Sequence, residues 1–300
     1  MISRMLANLA TTTRAPLFDS PANWGLAYED VEFQTADGLT IRGWLINPGC
    51  DKVVIQSHFG LFCSRAGYTN EGKPIGMRAW PTDINFLKHI KKFAEEGYTT
   101  LAYDLRNCGE SDKTSDGLSC DGQAEYQDVM AAVNFMTSHP DYKDAPIGML
   151  DICMGSSSMT LAHGVPGGLE NVDNIKAHVI IQPLNSGMWF EQMRIPQFLI
   201  RRAVKYNLRR GGVDFTKKPI EKAHLINKPS MVIQNKNDPQ ADMDYVRAYF
   251  NTLNVEKEMV WTDKGKTRID GYADLAERPE KVIEWFGKHV RKDEKPTTTH

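Results

Sequence analysis

Short apolar runs alternate with amphipathic stretches from about residue 28 to about residue 290. This alternation is typical of strands that alternate with helices, and it predicts a mostly parallel sheet flanked by helices. The first two strands depart from that rhythm. The turn Ala36-Asp37-Gly38 separates strands predicted at 30–35 and 39–46, and so predicts a hairpin at the start of the sheet.

The remaining pattern divides the chain into a core and an insertion. Further strands are predicted at 52–56, 99–103, 148–152, 177–182, 230–234 and 258–261. Helices are predicted at 82–96, 122–137, 156–163, 242–253 and 278–290. Residues 28–184 and 229–290 therefore form the predicted α/β core, and the helical segment 185–228 between them forms a predicted cap. Residues 1–27 are an N-terminal extension, and the polar tail 291–300 is expected to be disordered.

Composition narrows the class of protein. The chain has 300 residues, 41% of them hydrophobic, which is enough for one α/β domain with a substantial core. A net charge of -2 offers no field that attracts nucleic acid or an acidic membrane. No apolar run approaches the roughly 18 residues of a spanning helix, and the start of the chain is too interrupted for a secretion signal, so we expect a cytoplasmic protein. Five cysteines without CxxC or metal-ligand spacing indicate a reducing compartment, and we expect neither a metal nor a cofactor.

One segment carries most of the chemical information. Gly148-Met149-Leu150-Asp151-Ile152-Cys153-Met154-Gly155-Ser156 runs from an apolar strand into a turn of small residues with a cysteine at its apex. The segment resembles the nucleophile elbow of the α/β-hydrolase superfamily, with Cys153 where serine is usual. There the dipole of the following helix favours a thiolate. Asp151 stands where glycine is usual, and its carboxylate would oppose thiolate formation. A buried structural cysteine is the alternative interpretation.

Three other motifs extend the resemblance over most of the chain. They are the loop Ser57-His58-Phe59-Gly60, the turn 104–111, and Asn235-Lys236-Asn237-Asp238-Pro239 after a late strand. The cysteine version is similar to dienelactone hydrolase. The resemblance implies an α/β-hydrolase fold with a helical cap, in which Asp238 is the triad acid. It also implies an oxyanion hole built from the amides of Met154 and of Gly60 or Phe59. A simple Asn-Asp-Pro turn is the alternative at Asp238, and His58 is expected to be structural.

The catalytic histidine that this resemblance implies is missing. It should lie in the loop predicted between the last strand and the last helix, but residues 262–272 of that loop contain no histidine, and Thr267 or Arg268 occupies the expected place. We expect the other histidines to be packing or surface residues: His89, His139, His163, His178, His224, His289 and His300.

Three functions remain open for this combination of residues. The leading one is hydrolysis of an ester, lactone or thioester of a small acyl or enol-type molecule through Cys153. The second is a non-hydrolytic reaction of the same fold, such as cyclisation, rearrangement, condensation or acyl transfer. The third is a catalytically inactive homologue that only binds. A cysteine can still be acylated without a base, but attack by water would lose the roughly 100- to 10,000-fold that a general base contributes.

The predicted cap suggests what the substrate carries. Residues 194–222 contain nine lysines and arginines against two acids, interleaved with aromatic residues. We expect an apolar small-molecule substrate that bears a carboxylate or is attached to an acyl carrier or coenzyme A, contacted by Trp189, Arg201 and Arg202. The alternative is an ordinary solvated basic face, used in contacts of a homodimer.

Overall fold

The computed structural model describes residues 14–60, 62–71, 80 and 82–292. Its strands are β1 (Tyr28–Gln34), β2 (Thr40–Ile46), β3 (Lys52–Ser57), β4 (Gly67–Tyr68), β5 (Ile84–Asn85), β6 (Tyr98–Tyr103), β7 (Ile147–Ile152), β8 (Ile175–Ile181), β9 (Ser230–Asn235) and β10 (Lys257–Thr262). Its α-helices are α1 (Leu87–Glu95), α2 (Tyr126–Ser138), α3 (Met154–His163), α4 (Ser186–Gln192), α5 (Gln197–Arg209), α6 (Ile220–Ala223), α7 (Met243–Thr252), α8 (Arg268–Glu277) and α9 (Glu280–His289).

Eight of these strands form one sheet in the order β1-β2-β6-β3-β7-β8-β9-β10. The pairs β1–β2 and β2–β6 are antiparallel, and the pairs from β6 to β10 are parallel. Every residue of β7 is buried, as an apolar strand in the middle of a parallel sheet should be. The predicted hairpin and the mostly parallel sheet are therefore confirmed.

Helices cover both faces of the sheet. One hydrophobic core contains buried side chains of α2, α3 and α7, and the other contains those of α1, α8 and α9. The segment 185–228, which the sequence predicts as a cap, runs between β8 and β9 and contains α4, α5 and α6. Residues 1–13 of the predicted N-terminal extension and residues 293–300 of the predicted tail lie outside the described residues. No helix in the described ranges combines the length and apolarity that crossing a membrane requires.

The largest departure from the predicted elements lies after β10. The sequence analysis treats 262–272 as a loop, but helix α8 begins within it, at Arg268. Its N-cap is Thr267, whose hydroxyl accepts a hydrogen bond from the Asp270 amide, while the Asp270 carboxylate accepts one from the Thr267 amide. This capping box satisfies amides that have no acceptor inside the helix. Helix α9 thus matches the helix predicted at 278–290, and α8 is an additional helix that the sequence analysis does not predict.

The turn between β7 and α3 is packed against the neighbouring strand. A Cβ added at Gly155 would lie 2.5 Å from the Ser57 carbonyl oxygen and 2.8 Å from Ser57 Cβ. The nearest obstacle is backbone of a central strand, which cannot rotate away. Glycine at this position therefore allows α3 to start directly against β3.

We predict that Gly155→Ala destabilises the fold by about 1–3 kcal/mol, because the added methyl group forces a backbone shift at β3. Gly287→Ala is the control, since Gly287 lies in α9 with no atom within 4 Å of an added Cβ. That substitution should stabilise the protein by about 0.5–1 kcal/mol. Urea unfolding measures both, and equal midpoints for the two variants would contradict the packing described here.

Candidate active site

Cys153 is held in a strained backbone conformation at the junction of β7 and α3. It is the N-cap residue of α3, with φ 54° and ψ -102°, a region that residues other than glycine rarely adopt. Two hydrogen bonds fix it: its amide donates to the Ile181 carbonyl (2.9 Å), and its carbonyl accepts from the Ser157 amide (3.0 Å). Strain of this kind is found where a fold must present one side chain in a set position.

Arg268 and Asp238 form a buried ion pair beside Cys153. Asp238 lies in the loop after β9, and one guanidinium nitrogen of Arg268 donates to its Oδ2 at 2.6 Å. A second guanidinium nitrogen donates to the Gln182 backbone carbonyl. Only 4% of each residue is exposed. Charges this deeply buried are tolerated because they are paired and hydrogen-bonded.

Arg268 also contacts the nucleophile candidate. Its guanidinium donates to Asp238 and is near enough to the Cys153 sulfur to interact with it electrostatically, so it lies between Cys153 and Asp238. Burial by itself lowers the pKa of Arg268, but interactions with Tyr272, Cys153 and Asp238 outweigh burial and raise it. The guanidinium is therefore a permanent cation that donates hydrogen bonds and accepts none. Arg268 can stabilise negative charge on the sulfur, but it cannot remove a proton from a substrate.

Tyr272 completes the wall around the sulfur. It lies one turn beyond Arg268 on α8, with its ring centre 5.5 Å from the guanidinium carbon. Its other neighbour is Phe59, whose ring stacks on it at 4.9 Å. Burial raises the pKa of Tyr272 well above its usual value, so the hydroxyl stays protonated beside Cys153. Phe59, at a position where the family usually has glycine, thus supports Tyr272.

Asp151 lies in a buried position close to the nucleophile candidate. It is fully buried on β7 opposite Ser57 of β3. Burial raises the pKa of this carboxyl well above its usual value, and the Ser57 hydroxyl offsets only part of that shift. Burial thus favours the neutral carboxyl over the carboxylate that the sequence analysis expects to oppose a thiolate.

The other cysteines near this region are held as thiols. Burial raises the pKa of Cys63 and Cys108 well above the usual value, and it raises the pKa of Cys120 to about 12. A protonated thiol is a weak nucleophile. All five cysteines are free, and Cys153 is the one among the cavity-lining residues.

No histidine among the described residues lines the cavity at Cys153. Both ring nitrogens of His58 are hydrogen-bonded to backbone groups. Its Nδ1 donates to the Phe59 carbonyl at 2.5 Å, and its Nε2 accepts from the Leu105 amide at 3.1 Å. Burial lowers the pKa of His58, so it remains neutral. Elsewhere, His163 and His178 pair with each other at 3.2 Å inside the core. The part of the chain that the structure describes therefore places no histidine at the cavity to act as a base.

A mostly apolar cavity opens over Cys153. Residues of the core and of the 185–228 segment share its lining: Phe59, Gly60, Trp80, Ser119, Asp121, Cys153, Met154, Leu184, Asn185, Ser186, Trp189, Phe215, Gln240, Arg268, Ile269 and Tyr272. Of the residues predicted for the substrate, Trp189 lines this cavity. Arg201 and Arg202 are exposed on α5 and are not part of the lining.

The predicted oxyanion residues lie together in this lining. Met154 is the first residue of α3, whose first amides have no acceptor within the helix. The side chain of Met154 lies against Gly60, since a Cβ there would be 2.8 Å from Met154 Sδ. The sequence analysis predicts Thr267 or Arg268 at the position of the missing histidine. Thr267 caps α8, while the side chain of Arg268 lies beside Cys153 and Asp238.

Two lining residues with ionisable side chains, Asp121 and Tyr272, are not predicted from the sequence. Tyr272 could have been found from the pattern Thr267-x-x-Asp270, which indicates a helix start and places residue 272 one turn beyond Arg268. Asp121 gives no such signal, because it lies in an irregular segment and its partner Ser186 is 65 residues away along the chain.

Comparisons with known proteins give partial sequence matches. No protein-family model matches the chain. A polyketide transferase from Stachybotrys chlorohalonatus is 33% identical over 113 residues, which is 37% of this chain. The polyketide transferase GrgF from a Penicillium species is 30% identical over 141 residues, or 46% of this chain. These matches span only 32% and 40% of the two relatives' own lengths.

Solved structures match along nearly the whole chain. The esterase Pf2001 from Pyrococcus furiosus superimposes with a TM-score of 0.68 at 20% identity, covering 94% of this chain and 98% of the esterase. The α/β-hydrolase GrgF from Penicillium sp. sh18 gives a TM-score of 0.59 at 18% identity, covering 88% and 99%. The chain therefore has the α/β-hydrolase fold, as the sequence resemblance implies.

We predict that Arg268→Met destabilises the protein by about 3–5 kcal/mol, because it leaves the Asp238 carboxylate buried without its partner. The double variant Arg268→Met/Asp238→Asn should recover much of that loss, since it removes the unpaired charge. Urea unfolding of Arg268→Met, Asp238→Asn and the double variant gives the coupling energy between the two side chains. Additive effects of the two substitutions would show that the ion pair is not formed.

Proposed function

We propose that this protein transfers an acyl group from a thioester donor to an acceptor other than water, with Cys153 as the acyl carrier. One observation supports this most strongly: Arg268 lies between Cys153 and Asp238, where a hydrolase of this fold carries its histidine. The fold is that of hydrolases, but the group at this position cannot act as a base.

Formation of the acyl-enzyme needs no histidine. The Cys153 sulfur attacks the thioester carbonyl, the bond between that carbon and the donor sulfur breaks, and the donor leaves as a thiolate that takes up a proton. The Arg268 cation faces the Cys153 sulfur and favours the negative charge it carries before attack. The amides of Met154 and of Gly60 or Phe59 stabilise the carbonyl oxygen during the step.

Release of the acyl group to water is the slow step in this site. A water molecule must lose a proton as it attacks, and Arg268 cannot accept it. General-base assistance is worth about 100- to 10,000-fold, so the acyl group on Cys153 should survive long enough to meet another acceptor. The apolar lining of the cavity supports this by limiting access of water.

The sequence relatives support transfer over hydrolysis. Both are named polyketide transferases, and their matches to this chain are partial. The exposed Arg201 and Arg202 on α5 lie outside the cavity lining. We assign them to a donor portion outside the cavity, such as an acidic acyl carrier or coenzyme A, with the apolar acyl chain inside against Trp189.

The proposal is tested with S-octanoyl-N-acetylcysteamine as donor, followed by intact-protein mass spectrometry. We predict an octanoyl adduct on the unmodified protein that persists in buffer. Cys153→Ala should give no adduct, whereas the control Cys120→Ala, which changes a thiol outside the cavity lining, should give the same adduct as the parent. Continuous release of octanoate over many turnovers in buffer would instead establish a hydrolase. Absence of both adduct and turnover would remove Cys153 as an acyl carrier.

A further inference from the structure

The described lining of the cavity contains one carboxylate, Asp121, which is not part of the Arg268–Asp238 ion pair. Asp121 lies in the segment between β6 and α2 and faces the same cavity as Cys153. It is the carboxylate among the lining residues, most of which are apolar. The steps described so far give it no role.

Asp121 is fixed at the start of α4 by hydrogen bonds. Its Oδ1 accepts from the Ser186 hydroxyl at 2.9 Å, and the Ser186 amide donates to Oδ1 and Oδ2 at 3.2 and 3.1 Å. Among the described residues, Ser186 alone donates hydrogen bonds to this carboxylate. A carboxylate has about four acceptor positions, so Oδ2, which shares only the amide, keeps capacity for a further donor.

The segment that carries Asp121 is also packed against the helix that starts at Cys153. Asp121 itself has a positive φ of 55°. Gly122 follows with φ +89°, and a Cβ there would lie 3.0 Å from the backbone of Ser157 and Ser158 in α3. Only glycine permits this close approach. The position of Asp121 is therefore set relative to α3 and its N-cap residue, Cys153.

We propose that Asp121 is the general base that activates a hydroxyl acceptor for attack on the acyl group carried by Cys153. This inference rests on the proposed acyl transfer and extends it. In a catalytic triad one histidine performs two tasks, and here two residues perform them. Arg268 stabilises negative charge on the sulfur, and Asp121 accepts and returns the proton.

The steps balance over one catalytic cycle. The acceptor O–H bond breaks and its proton goes to the Asp121 carboxylate, while the acceptor oxygen bonds to the acyl carbon. The bond from that carbon to the Cys153 sulfur then breaks, and the electron pair stays on the sulfur beside Arg268. In the next acylation the departing donor thiolate takes the proton from Asp121. Donor thioester and alcohol thus become ester and free thiol.

The electrostatics of the site suit this role. Burial raises the pKa of Asp121 to about 7, with Glu125 adding to the shift and the Ser186 hydrogen bonds opposing it. A base with a pKa near the working pH is efficient in both directions of proton transfer. Further ionisable groups lie around Asp121, on its own segment, on α7 and across the cavity: Cys120, Tyr245, Arg268, Tyr272 and Cys153. Ser186, the residue of α4 that contacts Asp121, does not titrate.

The test compares two acceptors on protein that already carries an octanoyl group on Cys153. Butanol needs a base to become a good nucleophile, whereas hydroxylamine attacks without one. We expect Asp121→Asn to slow release by butanol by about 100-fold or more, and to leave release by hydroxylamine unchanged. Asparagine retains an oxygen that can accept from Ser186, so a purely anchoring role predicts no difference between acceptors. The control Asp141→Asn changes a carboxylate that is 76% exposed and should behave as the parent with both acceptors.

The pH profile gives an independent measure. Because Cys153 is acylated at the start of the experiment, the pH profile reports on release of the acyl group alone. Release by butanol from the parent protein should rise as the pH passes through about 7, where Asp121 becomes a carboxylate, and the rise should disappear in Asp121→Asn. Equal butanol rates for parent and Asp121→Asn would overturn the role of Asp121 and leave the acyl-enzyme intact. Failure of Cys153 to acylate at all would instead overturn the proposed function.

Discussion

The buried pair of Arg268 and Asp238 is the interaction on which the site depends. Placing two charges in a protein interior costs several kcal/mol per ion, and only good geometry offsets that cost. Here three chain segments supply the geometry. The loop after β9 holds Asp238, and Gln182, directly after β8, accepts a hydrogen bond from Arg268 with its carbonyl. The capping box at Thr267 fixes the start of α8 and thus the position of Arg268. The same guanidinium then reaches Cys153. A permanent cation is thereby fixed beside the sulfur.

This arrangement separates two tasks that a histidine combines. A triad histidine orients and charges the nucleophile and also carries protons in both directions. Arg268 can perform only the electrostatic part, since it does not release its proton. The cavity must therefore obtain proton transfer elsewhere or do without it. We propose that Asp121, on a segment packed against α3, provides it to a hydroxyl acceptor bound in the cavity.

The sequence predicts the sheet well because its signals are local. Buried parallel strands appear as continuous apolar runs, and the elbow at Cys153 combines a strand, a small-residue turn and a helix start in nine residues. The loop predicted at 262–272 is wrong for residues 268–272, because the capping box at Thr267 starts a helix there without strong helical periodicity in the sequence. Asp121 could not be predicted, since its role depends on the distant Ser186. The number of basic residues in 194–222 does not indicate which side chains of α5 face the cavity. Arg201 and Arg202 are exposed instead.

We propose that Arg268 prevents efficient hydrolysis because it puts a cation where a base would otherwise act on water. The most direct measurement is the steady-state release of octanoate from S-octanoyl-N-acetylcysteamine by the parent protein, Arg268→His and the charge-retaining Arg268→Lys. Histidine beside Asp238 should restore a base at the sulfur and raise hydrolytic turnover by about 100-fold or more. Lysine, which stays charged, should not. Hydrolysis by the parent protein as fast as that of Arg268→His, in a variant that folds and acylates normally, would contradict the account.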